Sequence, residues 1–199
     1  MEERIYLYTR FERFWHWTQA VLIILLMITG FEVHGTIDWL GFEKAVDWHN
    51  LLAYALLVLT AFAIFWHFTT GEWKQYTPTL EKAGEVFCYY TRDIFQGKQH
   101  PIKKSRERKL NPLQRITYFL LKVFLFPFQM FTGLMYLFYH DLPRLGLNIS
   151  LETIGLLHTA GAFAFLVFLV LHIYLATTGY TVWSHLKAML TGWEVIEVK

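Results

Sequence analysis

Long apolar stretches broken by short polar ones dominate this chain. Four of them, at about 14–33, 48–69, 116–139 and 154–178, are long enough to cross the roughly 30 Å apolar core of a bilayer, which takes about 20 helical residues. None alternates apolar and polar residues in steps of two. Because backbone amides in lipid must pair within their own segment, all four are predicted to be helices. Between the second and third, Val86, Phe87, Tyr90, Ile94 and Phe95 recur at helical spacing among charged residues, and Val182, Leu186, Met189, Leu190 and Trp193 do so after the fourth. Both patterns predict helices lying in the membrane interface. The expected fold class is therefore all-α: an integral membrane four-helix bundle with additional interfacial helices, one domain over residues 1–199. Pro127, inside the third span, predicts a kink or an interrupted hydrogen-bond run.

Composition agrees, since 55% hydrophobic residues with 8 Trp, 11 Tyr and 18 Phe exceed what an ordinary soluble domain carries. Basic residues set the expected orientation. Arg4, Arg10 and Arg13 precede the first span, and Lys74, Lys82, Arg92, Lys98, Lys103, Lys104, Arg106, Arg108 and Lys109 lie between the second and third, against only Lys44 and Arg144 in the other two loops. By the positive-inside rule both termini and the loop 70–115 are cytoplasmic. Anionic membrane lipid accounts for the basic run at 103–109, so no nucleic-acid partner is expected. Met1-Glu2-Glu3-Arg4 precedes a full-length span, which makes the first helix its own expected insertion signal. With Cys88 as the only cysteine, the chain lacks the four thiolates of an ordinary iron–sulfur cluster and any Cys-x-x-Cys-His haem attachment.

Histidines then stand out. His158 and His172 lie fourteen residues apart in an uncharged run, nearly a whole number of turns, so both face one way, roughly 21 Å apart along the axis. Imidazole is a common axial ligand to haem iron, and ionisable groups in lipid are functional candidates. Two imidazoles must come from two helices at one level. His49 and His67, in the second span, are eighteen residues apart, about 27 Å, which exceeds the fourth-span spacing and fits two shared haems badly. His49 with His158 is the outer candidate pair, and His16 with His172 the inner one. His67 is the rival to His16, or else an interfacial histidine hydrogen-bonded to headgroups or a propionate. Arg13, one turn before His16, is a candidate propionate partner or simply a topology residue. Any haem here is non-covalent, of b type, and two are expected. Met27-Ile28-Thr29-Gly30 and Met130-Phe131-Thr132-Gly133 form a weak internal echo. Small-residue helix packing explains it, while Gly30, Gly133, Gly155 and Gly161 are also places where a porphyrin could approach a helix.

Arg13-x-x-His16-Trp17, His49 opening the second span, His158 with His172, and Lys109-Leu110-Asn111-Pro112-Leu113-Gln114-Arg115 resemble the di-haem cytochrome b membrane subunits of formate dehydrogenase-N, nickel-iron hydrogenases and thiosulfate reductases, within the prokaryotic cytochrome b561-like group. The resemblance covers essentially all four spans. It implies His49 and His158 on the outer haem, His16 and His172 on the inner, and a menaquinone or ubiquinone site lined by Asn111 and Gln114. Asn111 is equally an N-cap for the helix that Pro112 begins. His34, His67 and His140 depart from the formate dehydrogenase pattern. The implied function is an electron-transfer subunit between the quinone pool and a periplasmic partner, an iron–sulfur or multihaem cytochrome c subunit. Two alternatives are a self-sufficient superoxide:quinone oxidoreductase and, from another class, a His-lined metal or proton transporter. Against the transporter, the histidines separate into two levels and Asp and Glu are confined to span ends and loops.

Overall fold

Residues 2–98, 100–102, 105, 108–179 and 181–197 are described by a computed structural model. Lys103, Lys104 and Arg106, three of the basic residues used above for orientation, lie outside them. The protein is all-α with four long apolar helices, at Arg10–Val33, Phe42–Thr70, Pro112–Leu137 and Leu151–Ala176. Three of the four begin several residues before the apolar run because of their caps. Thr9 and Glu12 form a capping box that starts α1 (Arg10–Val33), Asn111 and Gln114 form another ahead of Pro112, and Ser150 caps the last with an oxygen 3.1 Å from the Thr153 amide. Each side-chain acceptor satisfies an amide that has no partner within its helix.

Contacts divide the chain into two compact units, Met1–Trp73 with Tyr180–Lys199, and Lys74–Gly179. In the first, α1 packs against α2 (Phe42–Thr70). Glu32, near the end of α1 and only 4% exposed, bridges the turn between them. Its Oε1 accepts the amides of Trp39 at 3.0 Å and Gly41 at 2.8 Å, together with that of Leu40. This puts a carboxylate at the N-terminus of α2, where Gly41 offers no side-chain cap. The expected amphipathic segment after the fourth span is α7 (Ser184–Thr191), numbered here in chain order, and it docks on the start of α1. Arg13 Nη1 donates to the Leu190 carbonyl at 2.5 Å and Trp17 Nε1 to that of Met189 at 3.1 Å.

A short ribbon in this unit was not anticipated. Glu2–Tyr6 pairs antiparallel with Trp193–Glu197, with Arg4 opposite Val195 and Tyr6 opposite Trp193. Gly192 makes the corner possible. Its φ is +88°, and a β-carbon there would lie 2.7 Å from the Tyr8 carbonyl oxygen, so only glycine fits without backbone movement.

In the second unit the amphipathic segment of the middle loop is α3 (Ala83–Thr91), with Val86 fully buried, followed by a short 3-10 turn over Asp93–Gln96. The third apolar helix has three parts: α4 (Pro112–Leu120), a π-turn at Leu121–Leu125, and α5 (Phe126–Leu137). Pro127 lacks an amide hydrogen and crowds the carbonyl one turn back, and the wider turn before it relieves that conflict. The interruption expected at Pro127 is present in this form. α5 packs on α6 (Leu151–Ala176), and the linking 3-10 turn over Tyr139–Leu145 folds Leu142 back onto Met135 and Ile154.

Glu32 sets where α2 begins. Replacing it with Ala removes three charge-assisted amide bonds and should cost on the order of 2–4 kcal/mol, read as a lower Tm of the detergent-solubilised protein. Glu32→Gln, which keeps an acceptor oxygen, should cost less than half as much.

Candidate functional site

The four candidate histidines all lie on long helices. His16 is six residues into α1, His49 seven into α2, and His158 and His172 share α6. Since α6 is unbroken between them, the roughly 21 Å separation expected from helical rise holds.

Within the first unit, His49 meets the end of α1. Its Nδ1 lies 2.9 Å from Thr29 Oγ1, and a β-carbon at Gly30 would stand 3.4 Å from its Cε1. Within the second unit, His158 meets the end of α5 in the same way. Its Nδ1 lies 3.1 Å from Thr132 Oγ1, and a β-carbon at Gly133 would stand 3.1 Å from its Cε1. The internal echo Met-x-Thr-Gly is thus a histidine seat used twice. The hydroxyl holds one ring nitrogen while the glycine lets the ring approach the helix. Gly30 and Gly133 face imidazoles, Gly155 lies under the Tyr136 ring, and Gly161 makes room for Gln129. None of these four is a bare helix surface.

Gln129, one turn before Gly133, was not singled out from the sequence. Its Nε2 is 3.3 Å from each ring nitrogen of His158, whereas its buried Oε1 has no hydrogen-bond partner among the described residues. An amide nitrogen only donates, so at least one ring nitrogen of His158 presents a lone pair.

At the other end of the second unit, His172 stacks on Phe168 at 5.6 Å between ring centroids, and its Nδ1 is 3.4 Å from the Tyr118 hydroxyl. Asn111 and Gln114 are locked together in their capping box. Asn111 Oδ1 accepts the Gln114 amide at 2.9 Å, and Gln114 Oε1 accepts the Asn111 amide at 3.1 Å. Asn111, only 5% exposed, also donates from Nδ2 to the Tyr90 hydroxyl at 3.1 Å. Burial and the neighbouring Tyr89 push the Tyr90 phenol up to about 12, against the opposing hydrogen bonds with Asn111 and Thr178. Tyr90 therefore stays neutral at physiological pH. Gln114 and Tyr118 are one turn apart on α4, so a polar line runs along that helix towards His172.

His67 is buried against the indoles of Trp15 and Trp66, and its Nδ1 lies 2.6 Å from the Ala63 carbonyl of its own helix. His16 makes an edge contact with Trp17 at 5.2 Å. Arg13 uses Nη1 to close the end of α7, a structural task that topology alone did not suggest. His34 and His140 are exposed, while His185 pairs with the buried Glu194 at 2.8 Å. Lys122, in the π-turn, sits 3.3 Å from the ring centroid of Tyr76. Among the described residues no three His, Cys, Asp or Glu side chains gather as a metal cluster. Single imidazoles seated against small residues suit haem, which takes one axial nitrogen per histidine and a close helix approach. The exposed Cys88 leaves that haem non-covalent.

Four apolar helices carrying paired histidine seats define a multi-pass membrane cytochrome b. The chain belongs to the prokaryotic cytochrome b561 family, which matches it over residues 7–192. It is 30% identical over 199 residues to a protein of Escherichia coli (strain K12) provisionally named cytochrome YdhU, covering 96% of this chain and 75% of that one. No solved structure matches it. Membership makes this a haem b protein of membrane electron transfer.

The two seats differ in tightness. Gly133→Ala should force the His158 ring aside by a few tenths of an ångström and cost about 1–3 kcal/mol. Gly30→Ala meets ordinary van der Waals distance and should cost clearly less. Thermal unfolding of the two variants, followed side by side, checks the order.

Proposed function

We propose that the chain holds two b haems and carries electrons between a periplasmic redox partner and the quinone pool near the cytoplasmic face of the inner membrane. The repeated Thr-Gly seat carries this reading. It prepares His49 and His158 alike, as two ligands of one group would be. His16 and His172, near the opposite ends of α1 and α6, are assigned to the second haem, with Arg13 available to a propionate through the guanidinium nitrogens that do not bind Leu190. Haem supplies one-electron redox chemistry, and the protein supplies its depth, ligands and hydrogen bonds.

Asn111 and Gln114 are assigned to the quinone site. A quinone carbonyl needs hydrogen-bond donors and access to protons, and reduction to quinol takes two electrons with two protons. Gln114 Nε2 is the amide nitrogen its capping box does not use. Tyr118 lies one turn on, with its hydroxyl on His172. Protons drawn from the cytoplasmic side would oppose or exploit about 2.3 kcal/mol per charge per 100 mV. The direction of flow follows the partner's potential. That partner is assigned as an iron–sulfur or multihaem cytochrome c subunit, and both termini as cytoplasmic.

Haem content of purified variants tests the ligand assignment. His158→Ala and His172→Ala should each lose at least one of two dithionite-reducible b haems; two intact b haems in either variant would overturn it. Asn111→Ala should slow quinone-dependent haem reoxidation at least tenfold, and unchanged kinetics would remove Asn111 from the quinone site.

A further inference from the structure

Threonine hydroxyls have one proton each, and where it goes decides what the oxygen can do. Thr29 Oγ1 lies 2.9 Å from the Leu25 carbonyl and 3.2 Å from that of Leu26. Thr132 Oγ1 lies 2.9 Å from the Phe128 carbonyl and 3.1 Å from that of Gln129. In both helices the hydroxyl proton is committed to the backbone one turn back. What remains on each oxygen is lone pairs, so each can only accept from the histidine beside it. Nδ1 of His49 and of His158 must then carry the ring proton, and Nε2 of each must carry the lone pair. At His158, the donor-only Nε2 of Gln129, 3.3 Å from each ring nitrogen, finds its acceptor at the ring's Nε2 in this tautomer.

We propose that Thr29 and Thr132 are matched positioning residues that hold His49 and His158 in one tautomer, with the lone pair on Nε2, and tune the haem the two histidines share. This rests on the ligand assignment proposed above. Nothing in the general need for an axial imidazole requires the same device on two different helices. Its repetition, down to the glycine that follows each threonine and the carbonyl one turn back, gives both ligands the same kind of Nδ1 acceptor. A hydrogen bond from Nδ1–H makes the imidazole more basic and a stronger donor to the oxidised iron. Each threonine therefore lowers the midpoint potential of that haem.

Thr29→Val and Thr132→Val keep the side-chain shape and remove the acceptor, while Thr29→Ser and Thr132→Ser keep the acceptor and remove only a methyl. All four are compared with wild type in the full-length purified protein by optical redox titration, low-temperature EPR of the ferric haems and haem content. Each valine variant should raise the potential of the same single haem and shift its EPR g values, and leave the other haem unchanged. The serine variants should titrate as wild type. Valine variants with wild-type potentials would overturn the proposal, as would shifts in two different haems or serine variants that shift as far as valine. Where a valine variant loses haem, the serine variant decides: retention with wild-type potential supports the role of the hydroxyl, and loss rejects it. His49→Ala and His158→Ala, measured alongside, separate the two levels. If these lose a haem while the valine variants are silent, only the threonine proposal falls. If they keep two intact haems, the ligand assignment itself falls.

Discussion

A polar hydrogen that leaves water must find an acceptor inside the protein, and in a bilayer there is no other source of one. Helices meet this requirement for the backbone along their length, and their ends and their histidines are where it becomes demanding. Thr9, Asn111 and Ser150 satisfy first-turn amides from side chains. Glu32 reaches across a turn to do the same for the segment that opens α2. The histidines obey the same rule with different acceptors. His49 and His158 set Nδ1 against threonine oxygens, and His67 is hydrogen-bonded to a carbonyl of its own helix. One constraint thus sets where helices start and, in the tautomer proposed, which ring nitrogen His49 and His158 offer.

Apolar length and histidine spacing read directly from the chain because both are properties of single helices. Spans placed by hydropathy fell within or close to the observed helices, the N-terminal extensions being the work of caps whose Thr-x-x-Glu and Asn-Pro-x-Gln patterns were also on view. What depended on contacts between distant segments did not read. The ribbon joins Arg4 to Val195, and its two short alternating stretches, Arg4-Ile5-Tyr6-Leu7 and Glu194-Val195-Ile196, say little until they are paired. Met-x-Thr-Gly was visible as an echo, yet its meaning lies in a histidine twenty residues further on in one case and twenty-six in the other. Glu32 and Gln129 were silent for the same reason. At Asn111 the cap is established, its oxygen accepting the Gln114 amide and its nitrogen donating to Tyr90, and a capping residue can also border a binding site.

The two ends of α6 are built with different chemistry. His158 rests on a hydroxyl whose proton is held by its own helix backbone, an arrangement with no proton to exchange and little freedom to turn. His172 rests on the phenol of Tyr118, whose hydroxyl can rotate and can act as donor or acceptor. Near that helix end lie the buried Asn111, the neutral Tyr90 and the unused amide nitrogen of Gln114. On the function proposed, one end needs only to fix a ligand and its potential, while the other must also pass protons to and from a quinone. A side chain already committed to the backbone suits the first task, and an adaptable hydroxyl beside further polar groups suits the second. The His172 end is therefore where proton chemistry has residues to work with, and the His158 end is where it has been designed out.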